Sequence, residues 1–343
     1  MKRQAWLDYI KLVAMLLVVV YHTPPRFDTA HEVALFNMGA PVFFFAAGYL
    51  FNIARQQNFL AFLKHRARQV LVPYATFFVV FYALWLVVGR RMAGPDEMAI
   101  DVFTPVWQFV QGTPDVVLGP FWFLAALFTM QVLYYPISRF FKGAWPLGVA
   151  LLLSLSLFIL PDVPWLRYWN LDKALLYMPI YAVGNCCRPV VDKFDFATPL
   201  RTVMWLALAA VGLAFLIFAP LNIDRATAYV LAPEAVILVL PLYTAVCRWL
   251  QVHCGESRIA LTVALTSITY LAVQNYVIGI IKIVVSKTLG QGMLDDSILL
   301  KIVIAVIVMI VIYPIAVLVD RYAPWMLGKK SPSLSSPSSS GKR

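Results

Sequence analysis

Ten apolar stretches, each of bilayer-spanning length or close to it, fill most of the 343-residue chain and leave it few folds to choose from. They run at about 5–22, 33–53, 70–89, 118–138, 144–160, 173–187, 203–220, 227–247, 259–281 and 298–319. A helix needs roughly 20 apolar residues to cross a hydrocarbon core of about 30 Å, and within lipid the backbone must satisfy its own hydrogen bonds. The expectation is therefore an all-α, polytopic membrane protein of about ten transmembrane helices. The fifth and sixth stretches are short enough to be tilted or re-entrant. Composition points the same way: 62% of residues are hydrophobic, 13% are charged and the mean hydropathy is +0.78. Soluble domains hold roughly 45–50% apolar and 25% charged residues.

Lysine and arginine set the orientation. With the N-terminus inside, nineteen of the 28 basic residues fall at cytoplasmic ends, so both termini are expected in the cytoplasm. The net charge of +11 then reads as positive-inside bias and attraction to lipid headgroups. Nucleic acid is not an expected partner, because no basic stripe is interleaved with exposed aromatics. Lys2 and Arg3 imitate the start of a signal peptide, but Asp8 and Lys11 interrupt the apolar region and no small-residue cleavage site follows His22. Cys186, Cys187, Cys247 and Cys254 lack paired metal spacing, and His22, His31, His65 and His253 lie in separate segments, so no metal site is expected. Residues 1–327 read as one membrane domain. Residues 328–343, rich in Ser, Pro and Lys, read as a disordered cytoplasmic tail.

Ionisable residues on membrane helices carry the functional signal. His22 closes the first apolar run, and Lys11 lies eleven residues before it. At 100° per residue that spacing returns to within about 20° of the same face, with about 16 Å of rise between the two. They face one side of the helix but do not touch. Asp8 is one turn from Lys11, and an intrahelical ion pair is the simplest account of both. Aromatics and carboxylates in the outer segments 90–117 and 161–172 fit an aromatic belt, or the stacking surface that a sugar needs.

Four pieces of sequence occur together in order. They are Trp6-Leu7-Asp8-Tyr9-Ile10-Lys11 with His22 beyond it; Gly39-Ala40-Pro41-Val42-Phe43-Phe44-Phe45-Ala46-Ala47-Gly48-Tyr49-Leu50; the cluster Lys64, Arg66, Arg68 before Val72-Pro73-Tyr74; and Phe121-Trp122-Phe123-Leu124. This set resembles the acyltransferase family 3 membrane proteins, which include bacterial O-antigen, enterobacterial common antigen and exopolysaccharide O-acetyltransferases. The motifs lie in the first 125 residues or so, and the ten-helix length matches the remainder. Three departures stand out. Ala47 occupies a position where the family commonly has Ser, the arginine pair at Arg66 and Arg68 is shifted, and the ninth helix offers Thr269, Tyr270, Gln274 and Asn275 without a histidine.

The resemblance implies an enzyme of the bacterial cytoplasmic membrane that transfers an acyl group, acetyl from acetyl-CoA in the simplest case, to a hydroxyl of a surface or lipid-linked glycan. His22 falls at the family's essential histidine. Neutral imidazole, with an unperturbed pKa near 6.5, suits a base that takes a hydroxyl proton or a transient acyl carrier. Lys11, oriented by Asp8, would meet a phosphate or the donor carbonyl. Arg66, Arg68 and Lys64 would receive the CoA diphosphate, since guanidinium binds phosphate bidentately. Trp122, Tyr270 and Gln274 are candidates to line the cavity. No permanently bound cofactor is expected, and separate periplasmic or glycan-assembly proteins are conceivable partners. The rival readings are a transporter or flippase that uses His22 and Lys11 for substrate or protons, and a non-enzymatic subunit of a glycan-assembly complex.

Overall fold

The computed structural model describes residues 4–23, 38–56, 58–92, 98–159, 163–189, 198–222, 225–289 and 298–329, and no strand occurs among them. The helices are α1 (Ala5–His22), α2 (Gly39–Leu50), α3 (Phe59–Gly89), α4 (Thr104–Gln111), α5 (Asp115–Phe140) and α6 (Trp145–Leu155). They continue as α7 (Leu171–Leu176), α8 (Met178–Cys186), α9 (Pro199–Asn222), α10 (Arg225–Cys254), α11 (Arg258–Leu289) and α12 (Ile298–Tyr322). Seven of them, α1, α3, α5, α9, α10, α11 and α12, are long and apolar enough to cross a membrane. The multi-pass helical architecture is as expected, while the count of ten is not confirmed among the described residues. α2 has 12 residues and α6 has 11. The stretch expected at 173–187 is broken at Tyr177 into α7 and α8, where Pro179 removes an amide donor and crowds the preceding turn.

α1 forms the axis of the fold and packs against α2, α10, α11 and α12. Ile10, Ala14, Met15 and Val19 are fully buried there. The start of α1 is pinned to the end of α10 and the turn after it. The Trp6 amide donates to Gln251 Oε1 at 3.0 Å, and the Tyr9 hydroxyl donates to the Gly255 carbonyl at 3.1 Å. α2 lies between α1 and α8. Gly39 presses α2 against α1, where an added Cβ would stand 2.6 Å from Val18 Cγ2, whereas Gly48 faces α8. A Cβ at Gly48 would stand 2.0 Å from the Tyr181 carbonyl oxygen, and one at Gly184 would stand 2.3 Å from that of Phe45. Only glycine lets the α2 and α8 backbones approach this closely.

α3 begins well before residue 70. Asn58 caps it by accepting from the Ala61 amide at 2.8 Å, and a π-helical turn spans Ala67–Leu71. α11 kinks at Thr266, where the hydroxyls of Thr266 and Ser267 bond back to the carbonyls of Thr262 and Val263 at 2.6 and 2.8 Å. Such back-bonding bends helices. After α12 a short 3₁₀ turn, Pro324–Leu327, straps across α3. Thr76 Oγ1 donates to the Met326 carbonyl and Arg68 Nε to that of Gly328, both at 3.1 Å, while Lys329 pairs with Asp320. Gly328 and Lys329, assigned to the tail from sequence, therefore belong to the packed structure. Residues 330–343 lie outside the described residues, as does His31.

Candidate active site

Two cavities lie along α1. The first, of about 220 Å³, is walled by His22 and Tyr21 from α1, Phe43 from α2, Trp122 and Phe123 from α5, Lys173 from α7, Tyr177, and Leu271 from α11. His22 ends α1, and its Nδ1 lies 2.8 Å from the Val18 carbonyl oxygen. A carbonyl only accepts, so Nδ1 donates in this contact, and in the neutral ring the lone pair is on Nε2. The Tyr21 ring meets the imidazole edge-on at 5.2 Å.

Lys173 was not found from sequence, where it appeared only as the first residue of an apolar stretch. Its Nζ donates to Asn170 Oδ1 at 2.7 Å and lies 4.7 Å from the centre of the Trp122 ring. Asn170, 2% exposed, donates in turn to the Gly112 carbonyl at 2.6 Å. The Thr129 hydroxyl holds the Trp169 carbonyl at 2.9 Å. Trp169 and Asn170 both adopt left-handed backbone, with φ of 53° and 48°. The chain just before Lys173 is thus bent into an unfavourable conformation and held there by hydrogen bonds, as happens at functional sites. The sequence signal was faint: a lysine after Trp-Asn-Leu-Asp, at the outer end of a short apolar run.

The second cavity, of about 300 Å³, holds Lys11, Arg66, Gln69, Gln131 and Ser267 among apolar neighbours. Arg66 donates to Gln69 Oε1 at 3.0 Å, which bridges the π-helical turn. Arg66 Nε and Gln131 Oε1 are buried and have no hydrogen-bond partner among the described residues. Buried polar groups of this kind retain hydrogen-bonding capacity for a polar ligand. Phe43, Phe123 and Leu271 belong to the walls of both cavities.

The remaining sequence candidates fall elsewhere. Asp8 lines neither cavity and acts on Lys11 through its charge. Lys64 and Arg68 are exposed beside Arg66, with Arg68 engaged by the strap. Tyr270 and Gln274 line neither cavity, although both are completely buried. The Tyr270 hydroxyl and both amide atoms of Gln274 lack hydrogen-bond partners among the described residues. Trp122 does line the His22 cavity. His65 is exposed.

A family model described as an acyltransferase domain matches residues 4–321, nearly the whole chain. No curated protein and no solved structure matches it.

Proposed function

The chain belongs to acyltransferase family 3, and from that premise we propose that it is an O-acyltransferase of the bacterial cytoplasmic membrane. The donor is cytoplasmic acyl-CoA, with acetyl-CoA the first to test, and the acceptor is a hydroxyl of a surface or lipid-linked glycan. One observation carries this reading: a cationic cavity at Lys11 and Arg66 and a histidine cavity at His22 lie at successive heights along one helix and share part of their walls.

The chemistry follows from these positions. Lys11 and Arg66 bind the phosphorylated arm of the donor, and exposed Arg68 and Lys64 meet its nucleotide end from outside. The cavities are at or below the roughly 300–1,000 Å³ of sites that enclose a whole drug-sized ligand, so each takes an end of a molecule. In the direct route the acceptor hydroxyl gives its proton to His22 Nε2 as its oxygen attacks the thioester carbonyl carbon. The ammonium of Lys173 offsets the negative charge that builds on the carbonyl oxygen. The C–S bond then breaks, the thiolate takes the proton from His22, and an ester and free CoA thiol remain. In a two-step route Nε2 attacks the thioester carbon and the C–S bond breaks to release CoA thiolate; the acceptor oxygen then takes the acyl group from Nε2, and its proton ends on the thiolate. The same tautomer serves both routes.

Inverted membrane vesicles carrying the native chain or His22→Ala at matched levels, given radiolabelled acetyl-CoA, test this reading through alkali-labile label in the glycan fraction. Loss of a positioned acid–base group is expected to lower the rate by roughly 10²–10⁴-fold. Equal label from both proteins would remove His22 from the chemistry. Accumulation of an intact solute without use of acyl-CoA would make the protein a transporter.

A further inference from the structure

The three residues common to both cavities form a barrier between them, and their packing is uneven. The Phe123 ring is fixed by Phe44 at 4.7 Å and Phe43 at 5.8 Å, with Trp122 edge-on at 6.2 Å. Leu271 is 5% exposed, on the α11 turn just past the Thr266 kink. Phe43 differs: it is half-buried and its one ring contact among the described residues is Phe123. It follows Gly39 and Pro41 on the α2 turn that lies against α1. Phe43 is therefore the least enclosed of the three, while Phe123 and Leu271 are buried.

We propose that Phe43, Phe123 and Leu271 form a selectivity constriction that passes a slender acyl group from the Lys11 cavity to His22 and rejects one branched beside the carbonyl. The inference rests on the acyl-CoA reading above. The acyl group is the tip of the donor, so it enters the gap first, and the thioester carbon must reach the His22 side before the hydroxyl attacks it. Only side chains without polar atoms face that gap, so discrimination is by width alone. An apolar pocket separates substrates differing by one methylene by roughly 10–200-fold. The space beyond the constriction, about 220 Å³ shared with the acceptor hydroxyl, adds a limit on length.

The test uses full-length protein in inverted vesicles, with radiolabelled acetyl-CoA and 2-methylpropanoyl-CoA supplied separately and alkali-labile label counted. The native chain is expected to favour acetyl by about tenfold or more. Leu271→Ala is expected to raise the 2-methylpropanoyl-to-acetyl ratio at least fivefold, roughly half of that discrimination. Phe43→Leu, a milder change on a half-buried side chain, is expected to move the ratio in the same direction and covers the case in which Leu271→Ala does not fold. Detergent extraction as a single monodisperse species identifies the folded variants. A native chain indifferent to branching, or a ratio unchanged in a folded variant, overturns the constriction while leaving acyl transfer standing. A native chain that transfers neither group overturns the acyl-CoA reading, and the constriction with it.

Discussion

Lys173 has its ammonium held in place from two sides, by the Asn170 amide oxygen and the Trp122 face. Left-handed backbone costs a non-glycine residue about 1–2 kcal/mol, and this chain accepts it twice in succession to set Asn170 where it is. Removing the charge while keeping the aliphatic stem, as in Lys173→Met, is expected to lower kcat by roughly 10²–10³-fold, the cost of losing one group that stabilises an oxyanion. The donor KM should move little, because Lys173 does not line the donor cavity. Steady-state kinetics on the two proteins would check this, and a rise in donor KM at unchanged kcat would instead place Lys173 in donor binding. The basic cluster shows what residue spacing does and does not disclose. Lys64, Arg66 and Arg68 read as one cationic group in the sequence, yet residues two apart stand about 200° apart around a helix. Arg66 turns into the cavity, while its neighbours remain exposed at the surface.

The α2 and α8 helices are joined backbone to backbone, and this contact supports the site from behind. α2 carries Ala40 and Phe43, while Tyr177, immediately before α8, walls the His22 cavity. In Gly184→Val the new Cβ would fall 2.3 Å from the Phe45 carbonyl oxygen, with Tyr49 N at 2.8 Å. Backbone cannot yield as a side-chain tip does, so the helices must separate, at about 1–3 kcal/mol for overpacking. Thermal unfolding in detergent, followed by size-exclusion chromatography, should show a midpoint lowered by several degrees; an unchanged midpoint would mean that α8 shifts without loss. The sequence makes α2 legible as a closely packed helix through its small residues, but not its partner. Gly48 meets α8 while Gly39 meets α1, and hydrophobic pattern, which marks a buried face, is silent about which element covers it. The short helices were hard to count as spans for a related reason. Nine of the twelve α2 residues are buried, so protein rather than lipid surrounds them and length no longer reports a crossing.

Across the whole molecule, the long helices and His22 were readable because lipid imposes both: apolar runs must be long, and an ionisable side chain within them is expensive. Lys173, the strap at Pro324–Leu327 and the shared walls of the cavities depend on contacts between distant parts of the chain, which local pattern does not encode. On the proposed function those shared walls answer a demand that a soluble transferase never meets. Lys11 and Arg66 stand on one side of them and the His22 imidazole on the other, so a file of water joining the two cavities would give protons a path between them. An apolar constriction resists wetting. Vesicles holding folded Leu271→Ala should therefore lose an imposed pH gradient faster than vesicles with the native chain, as followed with a pH-sensitive dye; equal decay would put the seal elsewhere. A path wide enough for an acyl group is wider than a proton needs, and three side chains without a polar atom between them let a cell keep such a protein in an energised membrane without discharging it.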